Sequence, residues 1–489
     1  MDYALLFAEF SALHRQRRWP RQRLLHECLR AAIRSGRLAP GSRLVATRAL
    51  AAELGLARNT VLYAYEQLAS EGFVASDRRG TVVAPMTPAP AAAQVEPAPQ
   101  PPVLRGLSRR ASKLRWENPV LPELADGAGA FVPGVPALAE FPLSTWRRML
   151  ERAWRGLDPA RLNYGDPGGE PALREAVADH LRAWRGVVCD ASQVLITDGT
   201  QHSLDLCLRA YSDSGDRIWL ENPGYGGALA ASRAAGLKVS GIGLDAQGMA
   251  PRPADWRRRP PSLIYVTPSH QYPTGCVMSL GRRLALLAGA RAAGALIIED
   301  DYDSEFRHDG APLSALQGLA ADAPVLYLGT FSKTMFPGLR IGFLVAPAAL
   351  APALLRMAGH LAPRGRSADQ LALAEFLRSG QFARHVRRMR RLYRQRRDAL
   401  AAALQRHLGD AATLHGASAG MHLALRLNDA RLSDAALAAQ ASAHGLALSA
   451  LSTHAVQGDP GWNGFLLGYA QVPAERMDGL ARQLAALVR

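Results

Sequence analysis

Apolar residues recur at helical spacing over 21–35, where Leu24 and Leu25, Cys28 and Leu29, and Ala32 and Ile33 share one face and Gly36 stands ready to end the helix. The segment 35–41 then reads as a loop. Thr47 is placed to cap a short helix over 48–54, with Gly55 as its left-handed terminator. After a three-residue turn, Val61, Ala64, Tyr65 and Leu68 define the inward face of a helix over 58–70, so the pair has helix-turn-helix spacing. Two short apolar runs, 73–75 and 81–83, predict a small hairpin with Arg78 and Arg79 at its tip.

The periodicity stops at residue 84. Residues 84–102 are rich in Pro and Ala, and a basic stretch with Arg105, Arg109, Arg110, Lys113 and Arg115 follows, which is the composition of a semi-extended linker. Beyond it, short apolar runs at 194–196, 217–220, 263–266, 296–298, 325–328 and 341–345 alternate with helix-length segments. This predicts an α/β unit built on a large, mostly parallel sheet. The expected organisation is 1–84, a linker over 85–125, and 126–489. Ligands of such sheets bind beyond the carboxyl ends of the strands, so the residues after each run matter most.

Those residues are Thr197-Asp198-Gly199-Thr200-Gln201, Asn222-Pro223-Gly224-Tyr225, Thr267 through Gly275, Glu299-Asp300-Asp301-Tyr302-Asp303, and Thr330 with Ser332 and Lys333. The first suits a phosphate, since a helix begins behind it with free backbone amides. Composition isolates Lys333. Of 58 Lys and Arg only Lys113, Lys238 and Lys333 are lysine, and a guanidinium cannot lose its proton to attack an aldehyde, whereas a tuned lysine amine can. For Lys113 and Lys238 a solvated surface role is the better reading.

With 489 residues, two or three domains are expected. There is no run of about 18 uncharged apolar residues and no signal-peptide order near Asp2, Glu9 and His14, so a cytoplasmic protein without a membrane partner is expected. Cys28, Cys189, Cys207 and Cys276 lack metal-ligand spacing, so no metal or disulfide framework is expected and they read as buried small hydrophobes. The formal charge of +16 suits a polyanionic partner.

Residues 1–85 carry thirteen Arg against seven Asp and Glu. Arg43, Thr47, Arg48, Arg58, Asn59, Thr60 and Tyr63, with Arg78 and Arg79, fall where a helix-turn-helix and its wing meet bases and phosphates. The order Gly-Arg-Leu-x-Pro-Gly-x-Arg-Leu, Arg-x-Leu-Ala-x-x-Leu-Gly, Arg-Asn-Thr-Val, Glu-Gly-Phe closely resembles the GntR winged-helix family over about 65 residues, implying double-stranded operator DNA as partner. Ala57 departs from the family's usual capping Ser, a loss of roughly 1 kcal/mol.

The strand-end residues resemble fold-type I pyridoxal 5'-phosphate enzymes, the aspartate-aminotransferase-like group. The resemblance implies that Lys333 forms a Schiff base with the cofactor and that Asp300, 33 residues earlier, pairs with the pyridine nitrogen. It further implies that Tyr302 reaches the phenolic oxygen, that Tyr225 stacks on the ring, and that Thr200, Gln201, Thr330 and Arg340 hold the phosphate. Tyr164 matches a tyrosine that reaches the partner subunit's phosphate, which implies a homodimer. One departure is Tyr272, where the family carries Asn before Pro-Thr-Gly; His270 and Gln271 are the candidates to take over its contact.

A GntR-type winged helix fused to such a domain looks like the MocR/GabR family of transcriptional regulators. The implied function is a regulator whose DNA binding responds to pyridoxal 5'-phosphate or to a small amino compound linked to it. Leu466 stands where a carboxylate-clamping Arg is usual, and Gly227 where a second Arg follows the stacking tyrosine. This favours the PdxR-like subgroup, in which the cofactor itself signals and vitamin B6 synthesis is controlled. Arg364 and Arg366 keep an amino-acid effector open. The alternative is an aminotransferase with an accessory N-terminal domain, and a residual half-reaction fits either reading.

Overall fold

The structure is a computed structural model that describes residues 1–17, 19–77, 80–84, 130–310, 313–320, 322–361 and 365–488. The chain divides into two compact units, Met1–Arg105 and Gly106–Arg489. The expected linker over 85–125, the wing-tip Arg78 and Arg79, and Arg364 lie outside the described residues.

The first unit contains helices α1 (Tyr3–Leu13), α2 (Arg21–Arg34), α3 (Thr47–Leu54) and α4 (Arg58–Ser70), then strands β1 (Val74–Asp77) and β2 (Gly80–Val83). Leu25, Leu29, Leu50, Val61, Ala64 and Leu68 form its buried centre, so the inward positions of the helix-turn-helix are those read from the periodicity. Two details differ. Helix α1 was not expected; Asp2 caps it by accepting from the Leu5 amide at 2.9 Å, and it buries only Tyr3 and Leu6, too few for a visible stripe. Thr47 is the first residue of α3 and not its cap, because the Ala46 carbonyl already receives the Leu50 amide. Gly55 ends α3 at φ +61, as expected.

The second unit carries an eight-stranded sheet: β3 (Val194–Thr197), β4 (Arg217–Asn222), β5 (Lys238–Asp245), β6 (Gly248–Met249), β7 (Leu263–Val266), β8 (Leu296–Asp301), β9 (Val325–Thr330) and β10 (Gly342–Val345). Their order is β3-β10-β9-β8-β7-β4-β5-β6. Neighbours from β9 to β5 are parallel, while β10 runs antiparallel to both β9 and β3. The carboxyl ends of β3, β4, β7, β8 and β9 therefore share one rim, and the residues that precede β10 arrive at the same rim. All of β3, β7, β9 and β10 is buried, which is why these strands read as unbroken apolar runs.

A second, antiparallel sheet escaped the sequence reading: β11 (Ala412–His415), β12 (His422–Leu427), β13 (Ser449–Ala450) and β14 (Gly464–Gly468), in the order β11-β12-β14-β13. Leu423, Leu425, Phe465 and Leu467 face the main core, and Ala424 and Leu466 face the other way into a small cluster with Leu451, Tyr272 and Trp462. All four cysteines are free; Cys28, Cys189 and Cys207 are buried, and Cys276 is only half-buried. Among the described residues no helix is long and apolar enough to cross a membrane.

Candidate ligand site at the strand ends

The acidic run 299–301 does not follow its strand but forms the end of β8, and strand alternation then sorts its carboxylates. Glu299 and Asp301 point to one face. Glu299 accepts the Leu316 and Gln317 amides at 2.8 and 3.0 Å, and Asp301 accepts from Arg185 Nε at 2.7 Å and from the Tyr327 hydroxyl at 2.5 Å. Asp300 points to the opposite face, beside Tyr265, whose hydroxyl donates to Asp300 Oδ2 at 2.6 Å. Asp300 Oδ1 is buried with no hydrogen-bond partner. Burial pushes the Asp300 carboxyl up to about 7 against the Tyr265 hydrogen bond; Asp301 adds to the rise and Lys333 opposes it.

Lys333 follows β9 and lies half-buried on the same rim, where its amine donates to the Gly134 carbonyl at 2.7 Å. Burial lowers the Lys333 amine from its ordinary range, Asp303 and Asp300 resist, and Arg340 assists. A neutral fraction of this amine is what nucleophilic attack on a carbonyl needs. Gly134 sits at φ +73, and a side chain there would begin 2.9 Å from Lys333 Nζ.

The helix start expected behind β3 is present. Helix Thr200–Tyr211 starts after Gly199 at φ +101, and the buried Thr200 Oγ1 has no partner. The Arg340 guanidinium lies 3.6 Å from where a Gly199 Cβ would stand, because the reversal into β10 brings Arg340, itself left-handed at φ +50, back to this helix end. Gln201 donates to the Gly227 carbonyl at 3.3 Å, and Thr330 Oγ1 accepts the Ser332 amide at 3.2 Å. Tyr225 begins the next helix and stacks on Tyr265 with centroids 6.5 Å apart.

The Tyr302 hydroxyl donates to the His270 carbonyl at 2.9 Å. Gln271 is fully committed to its own loop, donating to Glu221 and the Pro223 and Tyr272 carbonyls and accepting from Thr274. His270 is tied through Nδ1 to Asp303 at 3.0 Å. Gln271 is therefore not free to replace the missing Asn, whereas His270 Nε2 is buried with no hydrogen-bond partner. Tyr272 itself fills that corner, edge-on to Tyr225, Tyr302, His422 and His454. Arg366 is no free clamp either: it binds Asp198 and the carbonyls of Leu339 and Arg340. Tyr164 stands apart from this cluster, 83 % exposed.

Sequence reasoning missed His422. It is buried on β12, its ring stacks on His270 at 4.5 Å, and its Nε2 has no partner. Burial, then His270, His454 and Lys333, push its pKa well below the ordinary range, so it is a neutral imidazole near the lysine. Its only signal was alternation within 422–427, a run too short to separate from the surrounding apolar sequence.

In the first unit, the start of α4 presents Arg58 and Asn59 exposed, Thr60 half-buried and Tyr63 38 % exposed. Arg43 and Arg48 are also exposed and Thr47 is half-buried, with Arg43 bridged to Val82 of β2. This is a polar, cationic surface around one helix N-terminus, the character of a duplex-reading helix.

The comparisons agree with both halves. Residues 22–83 match the model of bacterial regulatory proteins of the gntR family, and residues 136–484 match aminotransferase class I and II. The chain is 40 % identical over 461 residues to a probable rhizopine catabolism regulatory protein, MocR, of Rhizobium meliloti, covering 94 % of this chain and 92 % of that one. It is 35 % identical to the pyridoxine biosynthesis regulator PdxR of Corynebacterium glutamicum, covering 91 % of each. Among solved structures, the α-aminoadipate aminotransferase LysN of Thermus thermophilus, complexed with N-(5'-phosphopyridoxyl)-L-leucine, superposes with a TM-score of 0.70 at 28 % identity, covering 78 % of this chain and 97 % of that one. Full-length likeness to named regulators, with a gntR-type winged helix ahead of a fold-type I aminotransferase domain, places this chain in the MocR family of helix-turn-helix transcriptional regulators.

Proposed function

We propose that this regulator holds operator DNA through Arg43, Thr47, Arg48, Arg58, Asn59, Thr60 and Tyr63, and that its second unit registers pyridoxal 5'-phosphate or an amino compound linked to it. The observation that carries the reading is the pair of buried, unpartnered oxygens, Asp300 Oδ1 and Thr200 Oγ1, on the rim that also holds Lys333 and Arg340. Buried polar atoms without partners are rare, and two on one rim fit a bound polar group. Pyridoxal 5'-phosphate supplies an aldehyde that an amine captures reversibly and a ring that withdraws electrons. Lys333 offers that amine and Asp300 the carboxylate for the ring nitrogen. Tyr225 offers an aromatic face, and Thr200, Gln201, Thr330 and Arg340 line the phosphate end. Tyr302, bonded to His270, reaches the site from the side.

The working unit is a cytoplasmic homodimer to which Tyr164, exposed in the single chain, brings a residue across the interface. Regulation is favoured over aminotransferase turnover because Leu466 is fully buried among Ala424, Leu451, Tyr272 and Trp462, so this position offers a substrate carboxylate no cation. The names of the relatives point to two signals, an amine as for the rhizopine regulator or the cofactor as for the pyridoxine regulator. The fully apolar clamp position favours the cofactor. An effector changes DNA affinity only as far as it binds one arrangement of the protein better than another. The test is to titrate binding to the DNA upstream of its own and neighbouring genes with and without pyridoxal 5'-phosphate, and then with common amino acids and an oxo-acid. A shift of severalfold with the cofactor is expected, and sustained multiple turnovers of an amino acid would overturn the reading.

A further inference from the structure

Helix Gln381–Leu408 carries eight arginines between residues 384 and 397 and no Asp or Glu from 381 to 397. Three of them are buried or half-buried: Arg390 donates to the Glu305 carbonyl, Arg396 to the Ala470 carbonyl, and Arg397 pairs with Asp309 and Asp398. The other five, Arg384, Arg387, Arg388, Arg391 and Arg394, are exposed. At about 100° per residue they lie within about 120° of the helix circumference and extend over about 15 Å of its length.

General arginine abundance does not account for this stripe. On several other helices surface arginines sit three or four residues from a carboxylate, as in Arg182 with Asp179, Arg209 with Asp205, and Arg482 with Asp478. Among the described residues, no carboxylate lies within ion-pair distance of any of the five. Among those residues Arg384 binds only Gln381, Arg388 and Arg394 only the carbonyls of Glu140 and His308, and Arg387 and Arg391 make no side-chain bond. Like charges three and four residues apart weaken a helix, so the pattern calls for an anion that arrives from outside. A small anion cannot span 15 Å. Between the arginines the outward face offers Gln395 and no exposed apolar or aromatic side chain, so it lacks the anchors of a membrane-binding, protein-binding or base-stacking surface.

We propose that this stripe is a second duplex-DNA contact, which grips phosphates without reading sequence. It rests on the reading that the chain binds DNA, and it adds a role in that binding to the effector unit. Phosphate contacts of this kind supply affinity and salt dependence and leave specificity to the recognition helix.

The test uses the full-length protein and a labelled random-sequence duplex of about 60 base pairs, with anisotropy followed across sodium chloride concentrations. Arg384→Gln, Arg387→Gln and Arg391→Gln together should lower the slope of log affinity against log salt by about 2 to 3, since each phosphate contact contributes about 0.9. Affinity at low salt should fall at least tenfold. The same three positions changed to Lys should retain the slope, and Arg58→Ala with Asn59→Ala should leave the stripe's salt-dependent binding in place. An unchanged slope in the glutamine variant, with the Arg58 and Asn59 variant losing all binding, would overturn the stripe and leave the winged-helix reading intact. Failure of the wild-type protein to bind any duplex would overturn both.

Discussion

The rim around Lys333 and the outward face of the small sheet both border Tyr272, yet they are built on opposite terms. On the rim, buried oxygens of Asp300 and Thr200 are left without partners, and glycines at 134 and 199 keep space beside Lys333 and Arg340. On the sheet, Leu466, Ala424 and Leu451 close against one another and against Tyr272 and Trp462. Unsatisfied polar atoms cost stability unless a ligand completes them, whereas a closed apolar cluster stabilises the fold and recruits nothing. Under the proposed function, the contrast separates a cofactor end that is kept from a substrate-carboxylate end that is lost.

Substitutions on the two sides should therefore separate cofactor binding from stability. The largest effect is expected from Lys333→Ala, which should abolish the absorption band of covalently held pyridoxal 5'-phosphate while the circular dichroism spectrum is retained; a persisting protein-bound band would assign another amine. Next, Asp300→Asn should weaken cofactor affinity by tenfold or more in an equilibrium titration, with little loss of stability in the ligand-free protein. Conversely, Leu466→Ala should cost about 2 to 5 kcal/mol in denaturant unfolding while cofactor affinity stays within about twofold. If Leu466→Ala instead impairs the cofactor and spares stability, the division between the two regions fails.

The smallest effect concerns pH. The Asp300 carboxyl is raised to about 7 in the folded chain, above its unfolded value near 4, so the folded state prefers the protonated form. Its contribution is thus most favourable at low pH and is lost as pH rises through about 7, on the order of 1 kcal/mol between pH 6 and 8. Melting of the ligand-free protein should show a smaller decline over that interval in Asp300→Asn than in the wild type, and equal declines would remove Asp300 as the cause.

Much of this was legible along the chain. Helical spacing marked the inward face of the helix-turn-helix, because a buried stripe of period 3.6 survives in sequence. The apolar runs 194–196, 263–266 and 325–328 marked strands buried on both faces. The short strands of the small sheet left no comparable trace, since their two to six residues alternate between a core face and a face that is itself partly apolar.

The sequence by itself determined the kind of chemistry: a rare lysine, a run of carboxylates and a glycine-led helix start are covalent facts at set spacings. Only the tertiary structure decided which of those groups are spent on the fold. Strand alternation turned Glu299 and Asp301 toward partners and Asp300 toward the rim, and the antiparallel β10 returned Arg340 to Gly199. The loop before Gly275 consumed Gln271, and Arg366 was bound to Asp198. Whether a polar group is available to a ligand depends on what packs against it, and that is a property of contacts between residues far apart in the chain.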